Sequence, residues 1–183
     1  MTRIPRIKTR EDVAEGGRGA YDEIKGSRGE VSGPFSVLLN SPEMARRVAH
    51  LGTYIRFESS LPADVTELAI LTTAREWNCQ YEWTYHEPEG RKAGVREEAI
   101  IAVRDRRAPS GLTEDEAVVF NYVLETMRNH KVSHEVYDAA FSRFGARGVA
   151  DLTATTGYYA LLAGALNTFE VEVDEGDRPL LPL

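Results

Sequence analysis

One cysteine occurs in the chain, Cys79, and it opens the run Asn78-Cys79-Gln80-Tyr81-Glu82-Trp83-Thr84-Tyr85-His86, directly after a helix-patterned segment that carries Glu67. A thiol, two carboxylates and an imidazole thus fall within two helices, the grouping that proton-transfer chemistry requires. In a helix starting at Cys79, Glu82 and His86 are four residues apart and share a face, and Cys79 stands one turn before Glu82 on the same stripe. Asn78 has the chemistry of an N-cap, which places Cys79 at the first helical position. There the helix dipole and a protonated His86 favour thiolate, while an ionised Glu82 opposes both, so the sign of the net shift at Cys79 is open.

The elements that must position these groups read as helices throughout. Residues 1–10 are basic and extended around Pro5, and Arg10 to Lys25 has roughly helical spacing that Gly16, Gly17 and Gly19 weaken. A loop rich in Gly, Ser and Pro is expected from Gly26 to Pro34, then a short helical turn from Phe35 to Leu39. Ser41-Pro42-Glu43 starts a helix whose apolar face is Met44, Val48, Leu51 and Ile55. After Leu61-Pro62-Ala63, Asp64 and Glu67 have the spacing of a capping box, followed by the buried face Leu68, Ile70, Leu71 and Ala74. The Cys79 helix is expected to stop or bend at Pro88, which lacks an N–H and crowds the carbonyl of Thr84.

Gly94 precedes a short helix from Glu97 to Val103, and Ala108 to Gly111 is a loop. Thr113 with Glu116 is a second capping-box pattern, opening a helix through Met127. Ser133 starts another that holds Val136, Tyr137, Ala140, Phe141 and Phe144. The last long segment, from Arg147 to about Phe169, is apolar nearly all round from Tyr158 to Leu166, which places it centrally or at an oligomer interface. From Glu170 to Leu183 the chain becomes an acidic, Pro-containing tail, readable as an extension toward a neighbouring subunit. The division is an N-terminal arm and helix (1–40), an all-α domain (41–170) and a C-terminal tail (171–183).

Each candidate residue has a plainer reading. Glu67 reads as a capping carboxylate or as a partner that receives a proton from His86 or orients it. Cys79 reads as a small buried hydrophobe or as a group in contact with substrate. Glu82 and His86 read as an exposed ion pair or as a base and its orienter. Tyr81, Trp83 and Tyr85 cannot all share one face; Tyr81 is the candidate to line a pocket and bind substrate, and Trp83 is read as core. No metal site is expected: bundle di-iron sites use Glu-x-x-His on paired helices, whereas Glu82 and His86 are four apart and His130 and His134 span a turn.

With 183 residues, 42% hydrophobic and 28% charged, the chain is the size and composition of one soluble globular domain. Its formal net charge of −7 argues against a nucleic-acid partner, and Arg104-Asp105-Arg106-Arg107 interleaves base with acid. A lone cysteine fits a reducing compartment, and without a signal-peptide pattern or an apolar run of about 18 residues a cytoplasmic location and no membrane partner are expected.

At Glu67, Cys79, Tyr81-Glu82-Trp83 and His86 the sequence resembles the carboxymuconolactone decarboxylase family, which includes the alkylhydroperoxidase D-like proteins. The glutamate stands twelve residues before the cysteine and the histidine seven after it, as in the branch with a Cys-x-Tyr-Glu-Trp-x-x-His core. The resemblance implies an alkylhydroperoxidase D-like helical bundle, all-α, that assembles into trimers or hexamers with its site near a subunit interface. In the peroxidase branch the pattern is Glu, Cys-x-x-Cys, His. Here Cys79 matches the first cysteine, Glu82 stands where the second would be, and Tyr81 replaces the histidine common between them.

That departure removes a two-thiol cycle, because a carboxylate cannot form a sulfenic acid or a disulfide. The activity expected is proton transfer, including decarboxylation, on a small organic acid or lactone without a cofactor, with His86 as acid and base and Glu67 and Glu82 as relay or orienting groups. The alternatives are a thiol-dependent peroxidase using Cys79 alone and a non-catalytic oligomer that binds a small molecule.

Overall fold

The computed structural model describes residues 2–107, 109–173 and 180–182, and among these the chain is helical without a strand. Two short 3₁₀ turns (Arg10–Asp12 and Glu15–Gly17) lead into α1 (Arg18–Arg28), α2 (Gly33–Leu38), α3 (Pro42–Phe57) and α4 (Ala63–Glu76). Then follow α5 (Gln80–Ala93), α6 (Glu97–Arg104), α7 (Glu114–Arg128) and α8 (His134–Thr168). No helix among the described residues is long and apolar enough to cross a membrane.

Helix α4 is the axis of the molecule, packed against α5, α6, α7 and α8. Its sequence explains why: Leu68, Ala69, Ile70, Leu71 and Ala74 bury apolar side chains on several faces, and the buried Thr72 and Thr73 donate their hydroxyls to the carbonyls of Leu68 and Ala69 (2.8 Å each). Leu71 belongs to one apolar cluster with Trp83, Ile100, Val123 and Leu152. Ile70 belongs to a second with Ile24, Leu39, Ile55, Tyr158 and Leu162. The N-terminal arm joins the second cluster, where Ile7 is buried and its N–H donates to the Ser36 carbonyl (2.6 Å).

Several local expectations are corrected. The stretch from Arg10 to Lys25 is not one helix; the glycines at 16 and 17 lie in the 3₁₀ turn before α1, which takes in Gly19 and continues through Gly26 to Arg28, shortening the expected loop. On α3 the inward stripe is Ala45, Ala49, Gly52 and Ile55, while Met44 (38% exposed) and Leu51 (45%) face outward. Small residues let the neighbouring helices approach, a signal that reading hydrophobicity alone does not carry. Helix α5 runs through Pro88 to Ala93 and ends at Gly94 (φ 99°). Packing against α4 outweighs the proline's lost hydrogen bond, a cost of about 3 kcal/mol.

The division expected between Phe144 and Arg147 lies at Gly145 inside α8. Its φ of 65° and ψ of −179° are open to glycine and not to side-chain-bearing residues, so 134–144 and 146–168 point in different directions. The capping box at Thr113 and Glu116 is formed. Most of the tail, 174–179 and 183, lies outside the described residues. Leu181 returns to this chain's own α5, exchanging hydrogen bonds with the Gln80 side chain (2.8 Å each) rather than extending away.

Candidate active site

The turn between α4 and α5 sets the geometry. The Cys79 N–H donates to the Ala74 carbonyl (2.9 Å) and the Asn78 N–H to the Arg75 carbonyl (3.1 Å), the paired bonds that close a helix C-terminus. Asn78 takes the left-handed conformation this closure requires (φ 47°). It therefore ends α4 and does not cap α5; its Oδ1 accepts from Arg75 and Arg106 instead. Cys79 is itself the residue flanking α5, extended rather than helical, with its carbonyl accepting the Trp83 N–H (3.1 Å).

That shift of one position takes Cys79 off the stripe shared by Glu82 and His86. Its side chain is fully buried among Val37, Tyr81, Ala163, Leu166 and Val171. Burial, then the nearby charge of Glu82, pushes the thiol up to about 12, against the weaker pull of the Glu82 and Tyr81 backbone. The helix-start argument for a thiolate is overturned by desolvation.

The tight turn lays α5 along α4 and brings Glu67 to His86. His86 Nδ1–H donates to Glu67 Oε2 (2.8 Å), and His86 Nε2 stands 3.5 Å from Glu82 Oε2. An ionised Glu67 only accepts, which assigns the ring proton to Nδ1 and leaves Nε2 on the Glu82 side. Glu67 is not a capping residue: Pro62 precedes the helix, and Asp64 lies in its first turn. Nor is the Glu82–His86 pair exposed; both are buried (4% and 3%). Burial raises the pKa of Glu82 above the usual carboxylate range, against the charges of His86 and Arg56. Its second oxygen, Oε1, is buried without a hydrogen-bond partner.

Glu82 and His86 open onto a cavity of about 110 Å³ whose wall also includes Arg28, Arg56, Tyr81 and Tyr159. Tyr159 meets the His86 ring edge-on (centroids 5.1 Å apart, planes at 89°), and burial holds its hydroxyl well above the ordinary tyrosine range, hence protonated. Tyr85 meets the other side of the ring at 5.1 Å. Of the five residues singled out in the sequence, Glu67, Glu82 and His86 converge, Tyr81 lines the same cavity, and Cys79 does not. Trp83 is core, fully buried, its Nε1–H donating to Glu87 Oε2 (2.7 Å). Among the described residues no three His, Cys, Asp or Glu side chains meet as a metal would need.

Sequence reading missed Arg28, Arg56 and Tyr159. Arginines in exposed-looking helices read as solvated charge, and only their approach across three helices reveals them. The Tyr158-Tyr159 pair did carry a signal, because two phenols in a helix apolar all round must each find a polar neighbour or a cavity.

Residues 42–125 match the model of the carboxymuconolactone decarboxylase family. That segment spans α3 to α7 and carries Glu67, Cys79, Glu82 and His86. Over that segment the chain is similar to the carboxymuconolactone decarboxylase family. Solved structures carry the likeness beyond the family segment, as a likeness of fold. The alkylhydroperoxidase AhpD core of an uncharacterized peroxidase-related protein from Ralstonia eutropha superposes with a TM-score of 0.77 at 16% identity, over 95% of this chain and 93% of that one. A putative antioxidant defence protein AhpD from Agrobacterium tumefaciens gives 0.67 at 18% identity, over 75% and 94%. The debrominase Bmp8, in complex with 2,3,4-tribromopyrrole, gives 0.72 at 11% identity, over 96% and 95%. No curated protein matches the chain in sequence.

Proposed function

We propose that this carboxymuconolactone decarboxylase-family protein is an enzyme that moves a proton to or from carbon in a small organic acid or lactone, including decarboxylation. The observation that carries this reading is the buried row Glu67–His86–Glu82, ending at the cavity on a carboxyl group whose second oxygen has no partner. Glu82, whose pKa burial raises, is the acid that faces substrate. His86, once it has taken a proton from solvent as the imidazolium, returns it to Glu82 through Nε2, and Glu67 accepts from Nδ1–H and so keeps Nε2 turned toward Glu82.

In a decarboxylation the bond from the α-carbon to the carboxylate breaks and CO₂ leaves without the bonding pair. The pair stays on the organic fragment as an enolate, which Arg56 and the Tyr159 hydroxyl stabilise. Glu82 then gives its proton to carbon, and His86 and solvent restore it. Atoms and charge balance with no cofactor and no oxidant. The sequence reading gave the acid and base role to His86; the unpartnered oxygen and raised pKa of Glu82 favour Glu82 as the acid, with His86 beside it on the cavity wall.

A single-cysteine peroxidase is the weaker reading, since the thiol has a pKa near 12 and lies in an apolar cluster behind the cavity. Incubation in D₂O with a panel of small keto acids, unsaturated acids and their lactones tests the proposal by CO₂ release and by deuterium at carbon. Both are expected with wild type and lost with Glu82→Gln and His86→Asn. Turnover that survives Glu82→Gln would contradict it.

A further inference from the structure

Several arginines on the outside of the molecule are paired: Arg96 with Glu116 (2.6 Å), Arg128 with Glu76 (2.5 Å), Arg46 with Glu43 (2.9 Å). The two that line the cavity are different. Among the described residues neither Arg28 nor Arg56 has a carboxylate within ion-pair distance, although both are half-buried. Arg28 is held from the side by the Phe35 ring (4.2 Å from its centroid) and by the Ala49 carbonyl (3.3 Å). These contacts hold the guanidinium in place and bring no carboxylate against it.

Tyr158 lies beside it. This side chain is 4% exposed, lines the cavity, and its hydroxyl makes no hydrogen bond of good geometry, the Arg28 guanidinium being the polar group beside it. Arg28 and Tyr158 come together over Gly52, where an added Cβ would fall 2.1 Å from Tyr158 Oη and 2.6 Å from Arg28 Nη2. Only a glycine on α3 leaves them room. A fixed cation, an unused buried hydroxyl and the space made for them form a receptor for one anionic group.

We infer that Arg28 and Tyr158 form a carboxylate-binding end of the cavity, and that the ligand is a small flat carboxylate whose body lies among Phe35, Tyr81 and Tyr159 toward Glu82. This rests on the reading of Glu82 as the group that meets substrate, and it narrows the substrate from acid or lactone to a compound with a free carboxylate. A cavity of about 110 Å³ suits a body of roughly benzene size. The carboxylate end is supplied by α1 and α8, outside the 42–125 segment, so it is a property of this chain rather than of the segment that defines the family.

The test is binding without turnover: calorimetric titration of benzoate and of crotonate, each beside its neutral amide, against wild type, Arg28→Gln, Arg28→Lys and Tyr158→Phe. Wild type is expected to prefer each acid over its amide by at least about tenfold. Arg28→Gln should lose the preference, Arg28→Lys should retain part of it, and Tyr158→Phe should weaken acid binding by roughly three- to tenfold. Equal binding of acid and amide, a preference that survives Arg28→Gln, or no binding of either acid would overturn the inference. Those results leave the proton-transfer reading standing or falling on turnover, which is measured separately.

Discussion

Glu82 and Asp151 are two carboxyl groups buried to nearly the same degree, 4% and 5% exposed, and the protein treats them in opposite ways. Asp151, on α8, accepts from the Tyr54 hydroxyl (3.0 Å), the Ser60 N–H (2.8 Å), the Ser60 hydroxyl (2.7 Å) and the Ser59 hydroxyl (3.2 Å). Burial pushes its pKa up, but the Ser60 N–H and the hydroxyls outweigh it and the net shift is downward. Glu82 has one long contact to an imidazole and one oxygen with nothing, and its pKa goes up. Asp151 is finished as a structural joint between α8 and the loop before α4. Glu82 is left unfinished beside a cavity, which is what a group that must exchange a proton with a ligand requires.

The largest effect separates the two in activity. Glu82→Gln keeps the shape and removes the acid, and is expected to lower kcat/KM for the acid substrate by about 10²–10⁴-fold in steady-state assays. Asp151→Ala strands the Ser60 N–H and the hydroxyls around it. It should cost about 2–4 kcal/mol, a fall in melting temperature of roughly 5–15 °C by calorimetry, with activity per folded molecule unchanged.

The comparison sharpens with pH. For Asp151, whose folded pKa is lowered, the stabilisation is full above the unfolded value near 3.9 and is lost as pH falls through the folded one. Asp151→Asn should thus cost most near neutral pH and less in acid. For Glu82, whose folded pKa is raised, the stabilisation is full below about 4.3 and is lost as pH rises through the folded value. Glu82→Gln should therefore gain stability relative to wild type as pH rises from 4 toward 8. Melts of the three proteins across that range check both signs, and parallel curves would break the contrast. The smallest effect is expected at Cys79: Cys79→Ala removes one buried sulfur, should cost about 1–2 kcal/mol, and should leave turnover within about twofold.

The sequence made most of the helices legible because their starts are written locally, as at Ser41-Pro42 and at Thr113 with Glu116. Glu67, Glu82 and His86 were legible as a group from spacing. What failed was one residue of register at Asn78. The same side chain suits a helix start and a left-handed helix end, and which one wins depends on how α5 packs on α4. That single step decided whether Cys79 faced the cavity or the apolar cluster behind it. Pro88 failed for a related reason, since tertiary packing carried α5 across a local break. Arg28, Arg56 and Tyr158 were not legible as a set, because they come from α1, α3 and α8 and share a cavity wall only when those helices pack together.

The central claim is that Glu82, and not Cys79, is the reacting group. The most direct measurement places wild type, Glu82→Gln and Cys79→Ala side by side in two assays, CO₂ release with deuterium incorporation from small carboxylates, and alkyl hydroperoxide reduction with an added dithiol. The account predicts carboxylate turnover that Glu82→Gln abolishes and Cys79→Ala keeps, with no peroxide consumption above background; hydroperoxide reduction that vanishes in Cys79→Ala and persists in Glu82→Gln would contradict it.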